Sequence, residues 1–165
     1  MRYPTIRTPM SGLLATAALA LGFSTLAMAQ ETHSHGPDAG VHELTLNAGQ
    51  RWATDEHLRK AMGRIRSGMN ASLQDIRQSR LADASYGALA EMVNAEVGYI
   101  VSNCKLEPRA DAQLHLLIAE IIEGADAMAG KRTQLKRQQG AVTVIGALEN
   151  YGTYFDDPGW KPLAH

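Results

Sequence analysis

Cys104 and His115 stand on either side of Pro108 in the stretch Asn103-Cys-Lys-Leu-Glu-Pro-Arg-Ala-Asp-Ala-Gln-Leu-His115. A thiolate and an imidazole are ligands that soft and borderline transition metals select. Cys104 is the only cysteine of the chain. It therefore has three uses open to it: a packed core thiol, a bridge between two molecules, or a soft metal ligand. Packing comes first, because free cysteine is among the most buried residue types. The remaining histidines are His33, His35, His42, His57 and His165, and His33-Ser-His35 has the spacing of a weak site for Cu(II), Ni(II) or Zn(II). Met62 adds a thioether at a position that also suits core filling.

Catalytic templates are missing from the sequence. There is no His-Glu-x-x-His, Gly-x-Ser-x-Gly, Walker or Rossmann pattern. Glu91, Glu96, Glu120 and Glu123 have no histidine three residues on, so the Glu-x-x-His pairs of di-iron bundles are absent as well. A binding role rather than an enzyme is expected.

The chain has 165 residues, 45% hydrophobic and 20% charged, which suits one globular domain with a substantial core. Its first residues read as targeting. Arg2 and Arg7 precede the apolar run Leu13 to Leu26, and Ala27-Met-Ala29 fits signal peptidase, which predicts cleavage after Ala29 and export to the periplasm. The apolar run is shorter than the ~20 residues a membrane span needs, so no membrane insertion is expected after cleavage. Cleavage removes two of the 16 basic residues and none of the 17 acidic ones, leaving 14 against 17 and a net charge of −3. That balance argues against nucleic acid and anionic membrane as partners.

The elements that must hold the candidate ligands follow from periodicity. Residues 30–53, rich in Gly, His and polar side chains, read as a mobile segment, with Leu44-Thr-Leu46 positioned to cover part of the domain. Thr54 is the expected N-cap of a first helix of roughly 25 residues, with Leu58, Met62, Ile65, Met69, Leu73 and Ile76 on one stripe. A second helix is predicted from about Tyr86 to Cys104, burying Leu89, Val93, Val97, Ile100 and Cys104. Glu107-Pro108 breaks the chain. The third helix carries Leu114, Ile118, Ile121, Ala125 and Met128 and ends at Ala129-Gly130. A fourth is predicted from about Gln134 to Tyr154, burying Leu135, Val142, Ile145 and Leu148, with Trp160 folding back in a capping turn.

Four such helices joined by short turns predict an all-α fold, an antiparallel up-down-up-down four-helix bundle over residues 54–165. In that topology His57, Met62, Cys104, His115, Tyr151, Tyr154, Asp156 and Asp157 share one end, where the segment bearing His33, His35 and His42 also enters. At 1.5 Å per residue His115 lies roughly 10 Å deeper than Cys104, which pairs it with Met62 instead.

The architecture resembles that of soluble b-type cytochromes and cytochromes c-prime. Covalent haem attachment needs Cys-x-x-Cys-His, which is missing, and the fourth helix has no His to match the b-type ligand, so haem is not expected. The segments Arg51-Trp-Ala-Thr-Asp55, Asn103-Cys-Lys-Leu with Ala110-Asp-Ala-Gln-Leu-His115, and Tyr154-Phe-Asp-Asp-Pro-Gly-Trp160 resemble a family of uncharacterised exported proteobacterial proteins. Some members of that family accompany metal-resistance genes, and the resemblance implies a role in metal handling. The expectation is a periplasmic bundle that binds a transition metal, copper above all, through His33, His35, His42, His57, Met62, Cys104 and His115. The alternatives are a metal-free structural or interaction bundle, open to homodimer formation, and a b-type haem protein.

Overall fold

Residues 43–164 are described by a computed structural model. The leader read at residues 1–29, the histidines His33, His35 and His42, and His165 lie outside the described residues. The described part is mostly helical: β1 (Trp52–Ala53), α1 (Glu56–Ala71), α2 (Leu73–Arg77), α3 (Asp83–Asn103), α4 (Pro108–Met128), α5 (Arg137–Tyr154) and β2 (Phe155–Asp156).

The predicted first helix is two helices. Its stripe is continuous, since Leu58, Met62, Ile65, Met69, Leu73 and Ile76 are all buried. The backbone breaks at Ser72, whose N–H bonds back three residues to the Met69 carbonyl and tightens the turn. Asn70 and Ser72 are weak helix formers because their side chains compete for backbone hydrogen bonds. The N-cap is Asp55, one residue later than expected, and the Thr54 hydroxyl instead donates to the Asp156 carbonyl at 2.6 Å and accepts from the Arg59 guanidinium at 3.1 Å.

α3 starts at Asp83, earlier than the periodicity suggests, and buries Tyr86, Ala90, Val93, Val97 and Ile100, with Leu89 only partly covered. Cys104 is not part of the helix. It is the extended C-cap residue, partly buried, that turns the chain into α4. Pro108 opens α4, where a missing N–H costs nothing, and the Glu107 side chain caps the Ala110 N–H at 2.9 Å. The stripe Leu114, Ile118, Ile121, Ala125 and Met128 is buried throughout.

α5 faces the core with a different side from the one its large apolar residues suggested. Leu135 lies in the preceding loop at 41% exposure, Val142 on the helix is 56% exposed, and Ile145 is only partly covered. The buried face is Gly140, Ala141, Val144, Ala147, Leu148 and Tyr151. Close approach to α4 explains the choice. A Cβ placed on Gly140 would stand 2.5 Å from the Gly124 carbonyl oxygen and 2.6 Å from the Met128 nitrogen, and one on Gly124 would stand 2.7 Å from the Gly140 carbonyl oxygen. Backbone meets backbone there, so the small-residue face must turn inward.

Helix neighbours are identified by side-chain pairs. His57 meets Tyr99 and Arg64 meets Glu96 between α1 and α3, while Asn150 meets Glu120 between α5 and α4. β1 and β2 pair in parallel, Trp52 with Phe155 and Ala53 with Asp156, so the chain enters α1 beside the point where it leaves α5. Residues 43–53 are held on the domain rather than mobile. The Thr45 N–H donates to Oε1 of buried Gln113 at 2.7 Å, and Trp52 Nε1–H donates to the Thr45 carbonyl at 2.6 Å. At the other terminus Trp160 packs edge-on against Tyr151 with centroids 4.6 Å apart. Arg66 binds the Lys161 and Pro162 carbonyls, which lays the tail along α1.

The glycine crossing makes a direct prediction. Gly140→Ala must push two backbones apart and is expected to destabilise the protein by about 1–3 kcal/mol. Gly98→Ala, at an exposed position of α3 with no atom within 4 Å of the added Cβ, is expected to stabilise it by about 0.5–1 kcal/mol. Urea unfolding of the two variants, compared with the parent, checks both signs.

Candidate functional site at the Cys104 corner

The corner is assembled around one carboxylate. Asp55 Oδ1 accepts the Leu58 N–H at 2.7 Å and caps α1, while Oδ2 accepts the Lys105 N–H at 2.7 Å and fixes the turn after α3. Burial works against its ionisation. The hydrogen bonds from Lys105 and Leu58 and from the Cys104 thiol, with His57 nearby, outweigh that cost and hold its pKa below the ordinary 3.8.

Cys104 responds in the opposite direction. Its burial, the negative charge and hydrogen bond of Asp55, and the charge of Asp111 push the thiol up to about 12. At neutral pH it is an S–H group that donates to Asp55, so its nucleophilicity is suppressed. The same two carboxylates that disfavour a thiolate would favour a bound cation, whose charge they complement.

His115 stands across the corner, one turn into α4 from Asp111. Its Nδ1 is 2.9 Å from the Asp111 carbonyl oxygen and 3.4 Å from Asp111 Oδ2, and its side chain is 70% exposed. A carbonyl oxygen only accepts, so Nδ1 carries the proton in that bond and the neutral ring keeps its lone pair on Nε2. A backbone carbonyl holding one nitrogen while the other is free is the usual support of a metal-binding histidine.

Cys104, Asp111 and His115 line one cavity of about 80 Å³, together with Ile100, Val101 and Ile118. The helical rise alone placed Cys104 and His115 at different depths, and the structure corrects this. Side chains on a helix lean toward its N-terminus, so the His115 ring reaches back over Asp111 to the level of the turn. Met62 is fully buried in the core, whereas the His115 ring faces solvent, so the predicted Met62/His115 pairing is not formed. His57 lies on the exposed side of α1, with Nδ1 2.8 Å from the Tyr99 hydroxyl. Tyr151 is buried, donates to Asp157 Oδ2 at 3.2 Å, and is shifted strongly upward by burial and by Asp157, with the Cys104 charge contributing. Asp55 was the member sequence reading missed as a site residue. Its local signal was the N-cap position, which the sequence reading gave to Thr54.

Among the described residues no group of three or more His, Cys, Asp and Glu side chains stands ready to hold a metal ion. No described helix is long and apolar enough to cross a membrane. In comparisons with known proteins, no family model, no curated protein and no solved structure matches the chain.

The carboxylate's control of the thiol is measurable. At pH 8 a thiol with pKa near 12 is ionised to about one part in 10⁴, so iodoacetamide is expected to alkylate Cys104 at least about 100-fold more slowly than a free cysteine. Asp55→Asn keeps a capping side chain but removes the charge, and is expected to speed that reaction about tenfold. Equal rates in parent and variant, followed by mass spectrometry, would show that Asp55 does not govern the thiol.

Proposed function

We propose that this protein is a periplasmic, up-down-up-down four-helix bundle that binds a transition-metal ion, copper foremost, at the Cys104 corner and serves in metal handling. One observation carries the reading: a thiol and an imidazole line the same small cavity with Asp111, and Asp55 is hydrogen-bonded to the sulfur. A thiolate with a neutral imidazole is a complete shell for two-coordinate Cu(I), and soft sulfur selects that ion over harder ones. Such a shell needs no cage of three ligands. The charges of the two carboxylates offset that of the incoming ion, and the exposed His115 ring, held through Nδ1 by Asp111, keeps Nε2 available as a ligand. His33, His35 and His42, outside the described residues, are by residue type nitrogen donors suited to Cu(II). The proposed location rests on the leader pattern of residues 1–29, and the role is binding rather than catalysis.

A metal-free interaction bundle is favoured by a different observation. Val101, on the rim of the Cys104 cavity, is 70% exposed. A second copy docking there would bring two Cys104 thiols close, and under oxidising conditions they would link.

Anaerobic titration with Cu(I) against a competing chelator separates these readings. The metal reading expects one ion per chain, an affinity loss of at least about tenfold in Cys104→Ser and in His115→Ala, and no loss in Met62→Leu. Parent-like affinity in both ligand variants contradicts it, and a Cys104-dependent dimer on a non-reducing gel without copper binding supports the interaction reading.

A further inference from the structure

The other end of α3 carries a second constellation, about 30 Å from Cys104 by the 1.5 Å rise of a 21-residue helix. There the turn after α2 and the loop between α4 and α5 border an open cleft of about 480 Å³, lined by Ser79, Tyr86, Arg132, Thr133, Lys136 and Arg137 among others. Its volume lies in the range of small-molecule sites.

Three features of the cleft agree in sign. Arg132, Lys136 and Arg137 are cationic, and the single acid lining the cleft, Asp83, stands 3.4 Å from the Arg137 guanidinium. Arg137 also donates to the Met128 carbonyl at 2.5 Å, which fixes it in place. Among the described residues neither Arg132 nor Lys136 pairs with a carboxylate. Two helices begin at the cleft, α3 at Asp83 and α5 at Arg137. Neither Ala82 nor Lys136, their N-cap residues, supplies a side-chain acceptor. Their first N–H groups add partial positive charge.

Tyr86 is the independent observation. It lines the cleft at 4% exposure, and its hydroxyl is buried with no hydrogen-bond partner among the described residues. Aromatic side chains on helices lean toward the helix N-terminus, which here is the cleft. A buried hydroxyl without a partner costs stability, and native proteins seldom keep one unused. Burial and the neighbouring Asp83 charge raise its pKa, so it stays protonated and is a donor.

Phenol, guanidinium, ammonium and helix N–H groups are all donors, and their complement is an oxyanion. We infer that this cleft binds a small molecule bearing a phosphate or carboxylate group, held by Arg132, Lys136 and the Tyr86 hydroxyl. Arg137 acts as a positioning residue that ties α5 to α4 and to Asp83. The site is independent of the metal reading.

Inorganic phosphate and malonate, titrated separately into the purified protein at fixed chloride and followed by amide NMR shifts, test it. Saturable binding of either anion, with shifts confined to the residues around 79–86 and 130–138, supports the inference. Phosphate alone identifies a tetrahedral ligand and malonate alone a carboxylate. Arg132→Gln and Lys136→Gln are each expected to weaken binding about tenfold. Tyr86→Phe is expected to weaken it several-fold while raising the melting temperature of the free protein, because the unpartnered hydroxyl is gone. Cys104→Ser should bind the anion unchanged, which separates this site from the copper corner. Absence of saturation by both anions up to about 20 mM, or parent-like affinity in both the Arg132 and Lys136 variants, overturns the inference.

Discussion

The carboxylate of Asp55 is the constraint on which the candidate site depends. One oxygen ends the exposed N–H groups of α1 and the other holds the first N–H beyond the Cys104 cap, so two parts of the chain fifty residues apart in sequence share one anion. Both bonds are charge-assisted, which makes them stronger than neutral ones and short. The anion cannot satisfy these donors without also facing the thiol. Its position for folding is therefore also its chemical effect: it keeps the sulfur protonated and gives the corner a negative field.

A second constraint acts at the α4/α5 crossing, where Gly124 and Gly140 let two backbones touch. Because α5 turns its small residues inward there, Tyr151 faces the core while Val142 is left on the surface. The chain then leaves α5 beside β1, the pairing of Trp52 with Phe155 holds the start of α1 there, and Asp55 reaches the turn where α3 finishes. Packing of glycines far from the sulfur is thus part of what places the carboxylate against it.

Sequence periodicity read α4 well because its stripe is made of large aliphatic residues and its ends are marked by Pro108 and Gly130. It misread α5 because the rule that apolar bulk turns inward fails where helices meet through glycine, and the glycines looked like irregularities. The N-cap is Asp55 rather than Thr54, whose hydroxyl bridges Arg59 and the Asp156 carbonyl, a partner 102 positions away that no local pattern reveals. Docking of residues 43–53 was hidden for the same reason, since it depends on Gln113 and Phe155. At the corner, Cys104, His57 and His115 were visible as residue types. The helical rise separated Cys104 from His115, and the lean of the side chain reunited them. The cationic cleft was not visible, because its lining combines two loops with the first turns of α3 and α5, which carry no motif.

The proposed site requires the Cys104 thiol, protonated and hydrogen-bonded to Asp55, to release its proton to solvent as the sulfur takes the metal ion. Calorimetric titration of the protein with Cu(I) at pH 8, repeated in buffers of different ionisation enthalpy, counts that proton directly. The account predicts about one proton released per copper bound, abolished by Cys104→Ser. Copper bound without proton release, or released protons that persist in the serine variant, would contradict it.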